Sequence, residues 1–175
     1  LLHHFAAAAH MALGHAAQAR RLWQKALEWL PGLEFAKENL ADLQAPVDQR
    51  HGSWAVGFQV WLSMLAYEEL DRLVKSGQGG TDRYEVHRQR VLRLCPYLPR
   101  LVPLLLERGD PRARTFAWWI ASMSDEPGMV DALRAFAFGQ RGPDQMRLTS
   151  LTILRRKNAL PHGRVKMWLK GEWRD

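Results

Sequence analysis

His3, His4 and His10 are the nearest approach to a metal-ligand cluster in this chain. His3 and His10 lie seven apart, so a helix would place both on one face. Two imidazoles without a third ligand or a carboxylate make a weak site. No metal and no other cofactor is expected. Cys95, the sole cysteine, precedes Pro96 at a helix end with Arg93 close in sequence. A reactive thiol needs a cation and exposure, whereas a buried one acts as a small apolar side chain, which is the expectation. Asp125, Glu126 and Asp131 could pose as paired carboxylates. Acids at a helix start, however, serve the cap and the dipole. Trp118 and Trp119 are adjacent, about 100° apart on a helix, and cannot both enter one core face. One of them could line a groove, as a peptide anchor or a platform for a base. Arg114, Arg147, Arg155, Arg156 and Lys157 recur, with Arg112, on two helices or at their ends. They form either a phosphate-binding strip or bonds to loops and helix ends. The phosphate-loop, dinucleotide, zinc-protease and serine-hydrolase motifs are all missing, so no enzymatic activity is expected.

These residues sit in a chain of 175, of which 47% are hydrophobic and 25% charged. That is the composition of a folded globular protein of one domain or two small ones. A single cysteine excludes an intrachain disulfide framework and fits a reducing compartment, so a cytoplasmic setting is expected. No apolar run approaches the roughly 18–20 residues of a membrane helix. The chain begins at Leu1 rather than Met and shows no signal peptide, which suggests a processed chain or an excised domain. Charge is uneven. Residues 1–80 hold 7 Lys+Arg against 8 Asp+Glu, whereas residues 81–175 hold 18 against 10. The basic half raises nucleic acid or another anionic partner as a reading, and solubility as the plainer one.

The elements that would position these groups are helical almost throughout. The Ala-rich segment from His3 to about Leu13 ends at Gly14. Ala19, Leu22, Trp23, Ala26, Leu27 and Leu30 then share one face up to Pro31-Gly32. Leu33, Ala36, Leu40 and Leu43 make a third stripe, ending near Pro46. The spacing of Trp54, Phe58, Trp61, Leu62, Leu65, Leu70 and Leu73 predicts one long linking helix over 54–76, capped by Ser53. Gly77 to Gly80 break it, and Asp82 with Glu85 begins the next helix. Further helices start at Leu98, at Asp110-Pro111, at Ser124–Pro127 and at Gly142–Asp144. Val165, Met167 and Leu169 alternate with polar or aromatic residues. They predict a strand, a turn at Lys170-Gly171 and a short second strand. The tail either continues in a longer chain or docks on the helices.

Two internal spacings carry a resemblance. Gly14, Ala19, Trp23, Ala26, Leu27 and Pro31, with Ala7 and His10 before them, resemble the tetratricopeptide repeat (TPR) over residues 1–44. His3 stands where that family often has Trp. Gly109-Asp110-Pro111 and Gly142-Pro143-Asp144, a shift of 33 that also superposes Arg114 on Arg147 and Ile120 on Ile153, look like short HEAT-like repeats over 98–157. In such repeats the Asp caps a helix and the Arg bonds neighbouring loops. The resemblance implies an all-α, right-handed solenoid of antiparallel helix pairs. Its parts are TPR-like helices in 1–46, a linking helix in 54–76, HEAT-like repeats in 81–160 and a hairpin-like tail in 162–175. It also implies a non-enzymatic interaction scaffold, an adaptor or regulatory domain of a larger protein, holding a peptide or protein surface in a groove near His10. The alternative is a nucleic-acid-binding repeat using the basic half. The sequence leaves the oligomeric state open.

Overall fold

The computed structural model describes residues 1–75, 86, 89–90, 93–160 and 163–175, with the backbone alone over 70–75. The glycine break at 77–80 and the helix start at Asp82 and Glu85 lie outside the described residues. The chain is mostly helical and ends in a small two-stranded antiparallel sheet.

Helices α1 (Leu2–Ala12), α2 (Ala16–Trp29) and α3 (Glu34–Gln44) pack in sequence order around one apolar cluster. Small residues make this possible. Ala7, Ala19 and Ala36 are fully buried, so backbones approach closely and leave room for the Trp23 indole, which is also fully buried. Gly14 turns the chain between α1 and α2 with φ +80, a conformation that costs other residues a Cβ clash.

The expected helix over 54–76 is not formed as such. Helix α4 covers only Met64–Lys75. Its cap is Ser63, whose Oγ accepts from Ala66 N at 3.3 Å, and not Ser53. Residues 46–62 instead run as a strap with two short 3-10 turns, Val47–Gln49 and Phe58–Trp61. The apolar spacing is real, since Trp54, Phe58 and Leu62 are buried. The backbone, however, finds partners other than its own helix. Asn39 of α3 accepts from Trp54 N at 3.1 Å and donates to Trp54 O at 3.1 Å. Asp42 accepts from His51 N at 2.7 Å and Gly52 N at 2.9 Å. Gly57 lies where a Cβ would come within 2.7 Å of the Phe35 ring. A helix through 54–62 would forfeit these bonds.

Helices α5 (Leu98–Arg108), α6 (Pro111–Met123), α7 (Pro127–Ala137) and α8 (Asp144–Arg156) build a second, larger cluster, joined by Phe58, Leu62 and Ala66. Each packs on the next, and α5 also packs on α7. Pro103 stays within α5, where its missing N–H leaves the Pro99 carbonyl without its usual donor. Asp110 caps α6 through Ala113 N at 2.7 Å. Strands β1 (Met167–Leu169) and β2 (Glu172–Arg174) pair with Trp168 opposite Trp173. Lys170 and Gly171 make the turn, both at positive φ. The tail docks on α8 rather than standing free.

Candidate functional site

The recurring arginines divide into two kinds. Arg114 and Arg147 are buried, at 0% and 1% exposure. Arg114 donates from Nε to Leu106 O at 2.8 Å and from Nη2 to Glu107 O at 3.4 Å. Arg147 donates to Trp168 O at 3.2 Å, to Arg141 O at 3.0 Å and to Gly142 O, and pairs with Asp144. Arg114 thus ties down carbonyls in the last turn of α5 and Arg147 those of the loop before α8, and neither lies on a surface that a phosphate could reach. Asp110 and Asp144 match as well: their second oxygens accept from Phe58 N and Lys170 N, both at 2.7 Å. Burial pushes the Arg114 guanidinium down to about 10, helped by Arg141 and opposed by Asp42, Glu107 and Asp110, and it remains charged at neutral pH.

Arg155 and Arg156 are exposed at the end of α8, where cations suit the helix dipole. Lys157 is drawn away from them, donating to Ser124 O at 3.1 Å and to Asp125 at 2.5 Å. The expected strip is therefore split. Trp118 donates to Ser150 Oγ at 2.8 Å, and the Trp119 ring stacks on Phe116 at 6.4 Å. Both indoles are partly buried against the α5–α8 cluster. His10 is half-buried in the last turn of α1, its Nδ1 3.4 Å from His15 Nδ1. Cys95 is fully buried, with Sγ 3.3 Å from the Tyr97 hydroxyl. Among the described residues no three His, Cys, Asp or Glu are grouped as a metal would need. None of their helices is long and apolar enough to cross a membrane.

The histidine with a defined role is His4, the neighbour of the pair singled out by spacing. Its Nδ1 accepts from Trp23 Nε1 at 3.2 Å, so its Nε2 carries the proton donated to Ala55 O at 2.8 Å. His51 lies where the strap passes Arg114, and its carbonyl accepts from Gly142 N at 3.0 Å. Both imidazoles are held below the ordinary histidine range. For His4 burial is the main cause, opposed by the Ala55 carbonyl and aided by the N-terminal amine. For His51 burial leads again, then the Arg114 charge, opposed by Asp42 and Asp110. A histidine depressed in the folded state stabilises fully above its unfolded value of about 6.5, and that stability is lost as pH falls through the folded value. The unfolding free energy from urea titration should therefore drop between pH 7 and 5.5, by up to about 1.4 kcal/mol per histidine per pH unit. A His4→Gln/His51→Gln variant should titrate nearly flat there, and an equal slope in the variant would remove this cause.

The least satisfied surface lies on α1. Alone among the described helices it carries no Asp, Glu, Lys or Arg. His4 and Ala7 point inward. Leu2, Ala6, Ala9 and, just past the helix end, Leu13 follow at four- and three-residue steps on the opposite side, with Phe5 beside them, and all are exposed, Leu2 at 85% and Leu13 at 69%. By contrast α2 turns Arg20, Arg21, Gln24, Lys25 and Glu28 to solvent. A helix apolar on both sides is normally covered on both. The want of charge in α1 is legible in the sequence and is the signal for this face. No protein-family model, curated protein or solved structure matches the chain.

Proposed function

We propose that this chain is a non-enzymatic interaction scaffold, an adaptor or regulatory unit of a larger protein, whose stacked helix pairs form a right-handed TPR-like and HEAT-like solenoid. It holds a peptide or protein surface against α1. The observation that carries this reading is the uncharged, exposed outer face of α1, an apolar patch of the kind that marks an interaction site. The ordered packing of successive helices, and of α5 on α7, supports the repeat arrangement. Arg114 and Arg147, each buried and bonded to backbone carbonyls just before its own helix, support it further.

The basic half is the less favoured surface, because Arg114 and Arg147 are buried and Lys157 is ion-paired. Selection from a random peptide library against the wild type should enrich helical sequences with apolar residues three and four apart. Their binding should weaken at least about tenfold on an Ala6→Glu/Ala9→Glu variant. No enrichment, together with salt-sensitive oligonucleotide binding lost on Arg155→Glu/Arg156→Glu, would replace this reading with the nucleic-acid one.

A further inference from the structure

We infer that the outer face of α1 docks against the same face of a second copy of this chain, in a two-fold antiparallel pair. This rests on the reading of that face as an interaction surface, and it names the occupant.

Charge argues for a second copy. The partner of an uncharged apolar stripe must itself offer an uncharged stripe, and among the described helices only α1 lacks ionisable charge of either sign at neutral pH beyond its histidines. The surrounding unit is also neutral: residues 1–46 hold 4 Lys+Arg and 4 Asp+Glu. Two copies meeting there feel no net repulsion, while their basic halves stay outside the contact.

Shape argues the same way. A two-fold axis crossing α1 midway between Ala6 and Ala9 maps Ala6 onto the partner's Ala9 and Leu2 onto the partner's Leu13. Small residues then meet at the centre, where the two helices can approach closely, and leucines close both ends. Phe5, exposed at 45%, covers the flank. The antiparallel sense also sets the helix dipoles favourably. A closed two-fold contact uses one patch twice, so it stops at the dimer.

A single helix pair is a small contact, which sets the expected affinity on the order of micromolar. Sedimentation of the full chain over a concentration series should show a monomer–dimer equilibrium. Ala9→Asp and Leu2→Glu, each on the exposed side of α1, should weaken it at least about tenfold with unchanged circular dichroism. Raising the salt should not weaken it, since no ion pair is involved. Oxidising an Ala6→Cys variant mixed with an Ala9→Cys variant should give the mixed disulfide in preference to either like pair; preference for like pairs would overturn the antiparallel register. A wild type that stays monomeric throughout, or a dimer untouched by both charged variants, would overturn the proposal. Helical peptides that still bind a monomeric chain through α1 would leave the scaffold reading standing. Absence of both the dimer and the peptides would overturn the two together.

Discussion

Arg147→Ala is expected to lower the unfolding free energy by about 3–5 kcal/mol, the range for breaking a buried ion pair by removing one partner. The guanidinium holds three separate pieces of chain. Nε reaches the Trp168 carbonyl of β1, Nη1 the Arg141 and Gly142 carbonyls before α8, and Nη2 the Asp144 carboxylate within it. Truncation strands the Asp144 carboxylate, whose side chain is 12% exposed, with only the Lys170 N–H as partner. It also removes the planar fork that fits carbonyls from several directions. Arg147→Lys keeps the charge but not the fork, and should recover less than half of the loss. Urea unfolding measures both. Amide exchange should show the hairpin at 167–174 opening first in the alanine variant. An alanine variant within about 0.5 kcal/mol of wild type, the range of ordinary surface changes, would remove Arg147 as the tie between tail and helices.

Trp23→Ala is expected to cost a further about 3–5 kcal/mol in its own cluster. Four of the six buried residues that share this core with Trp23 are alanines, Ala7, Ala19, Ala26 and Ala36, too short to fill the space it leaves; the other two are Leu33 and Leu43. Relaxation is therefore poor, which places the cost at the upper end. Trp23→Phe separates volume from hydrogen bonding. It keeps much of the ring but leaves His4 Nδ1 without its donor, for about 1–3 kcal/mol. It should lessen the acid sensitivity assigned to His4 without abolishing it, because protonation then breaks no bond to residue 23 while burial, the main cause, remains. Thermal unfolding of the three proteins at pH 7 and 5.5 tests both points. Equal midpoints for Trp23→Phe and wild type would show that the indole N–H contributes nothing.

Most helices were legible because their apolar residues fall on one face and their ends carry Gly, Pro or Asp. Asp110-Pro111 and Pro31-Gly32 mark boundaries through backbone chemistry that any neighbour would respect. The strap was not legible for a complementary reason. Periodicity reports which side of a segment is buried, and Trp54, Phe58 and Leu62 are buried as a helix would bury them. It does not report where the backbone N–H and C=O groups go. That was decided by Asn39, Asp42 and Asp110, nine to 52 residues away in sequence. Asn39 was the available clue, a polar residue between Ala36 and Leu43 on an otherwise apolar stripe. The arginines show the same limit. Spacing sets Arg114 against Arg147, but only the surrounding chain determines that both turn inward while Arg155 and Arg156 do not.

The strap also fixes an order of events in time. Within each helical unit most contacts join elements adjacent along the chain, and such contacts form quickly. The strap has no ladder of its own. Beyond its nearer bonds to Asn39 and Asp42, two bonds run from Ala55 back 51 residues to His4 and from Phe58 forward 52 residues to Asp110. Neither can form until the helix carrying its partner is in place. The strap is thus the last segment to settle during refolding and the first to be released. Changes in it should speed unfolding while leaving the rate of folding nearly untouched.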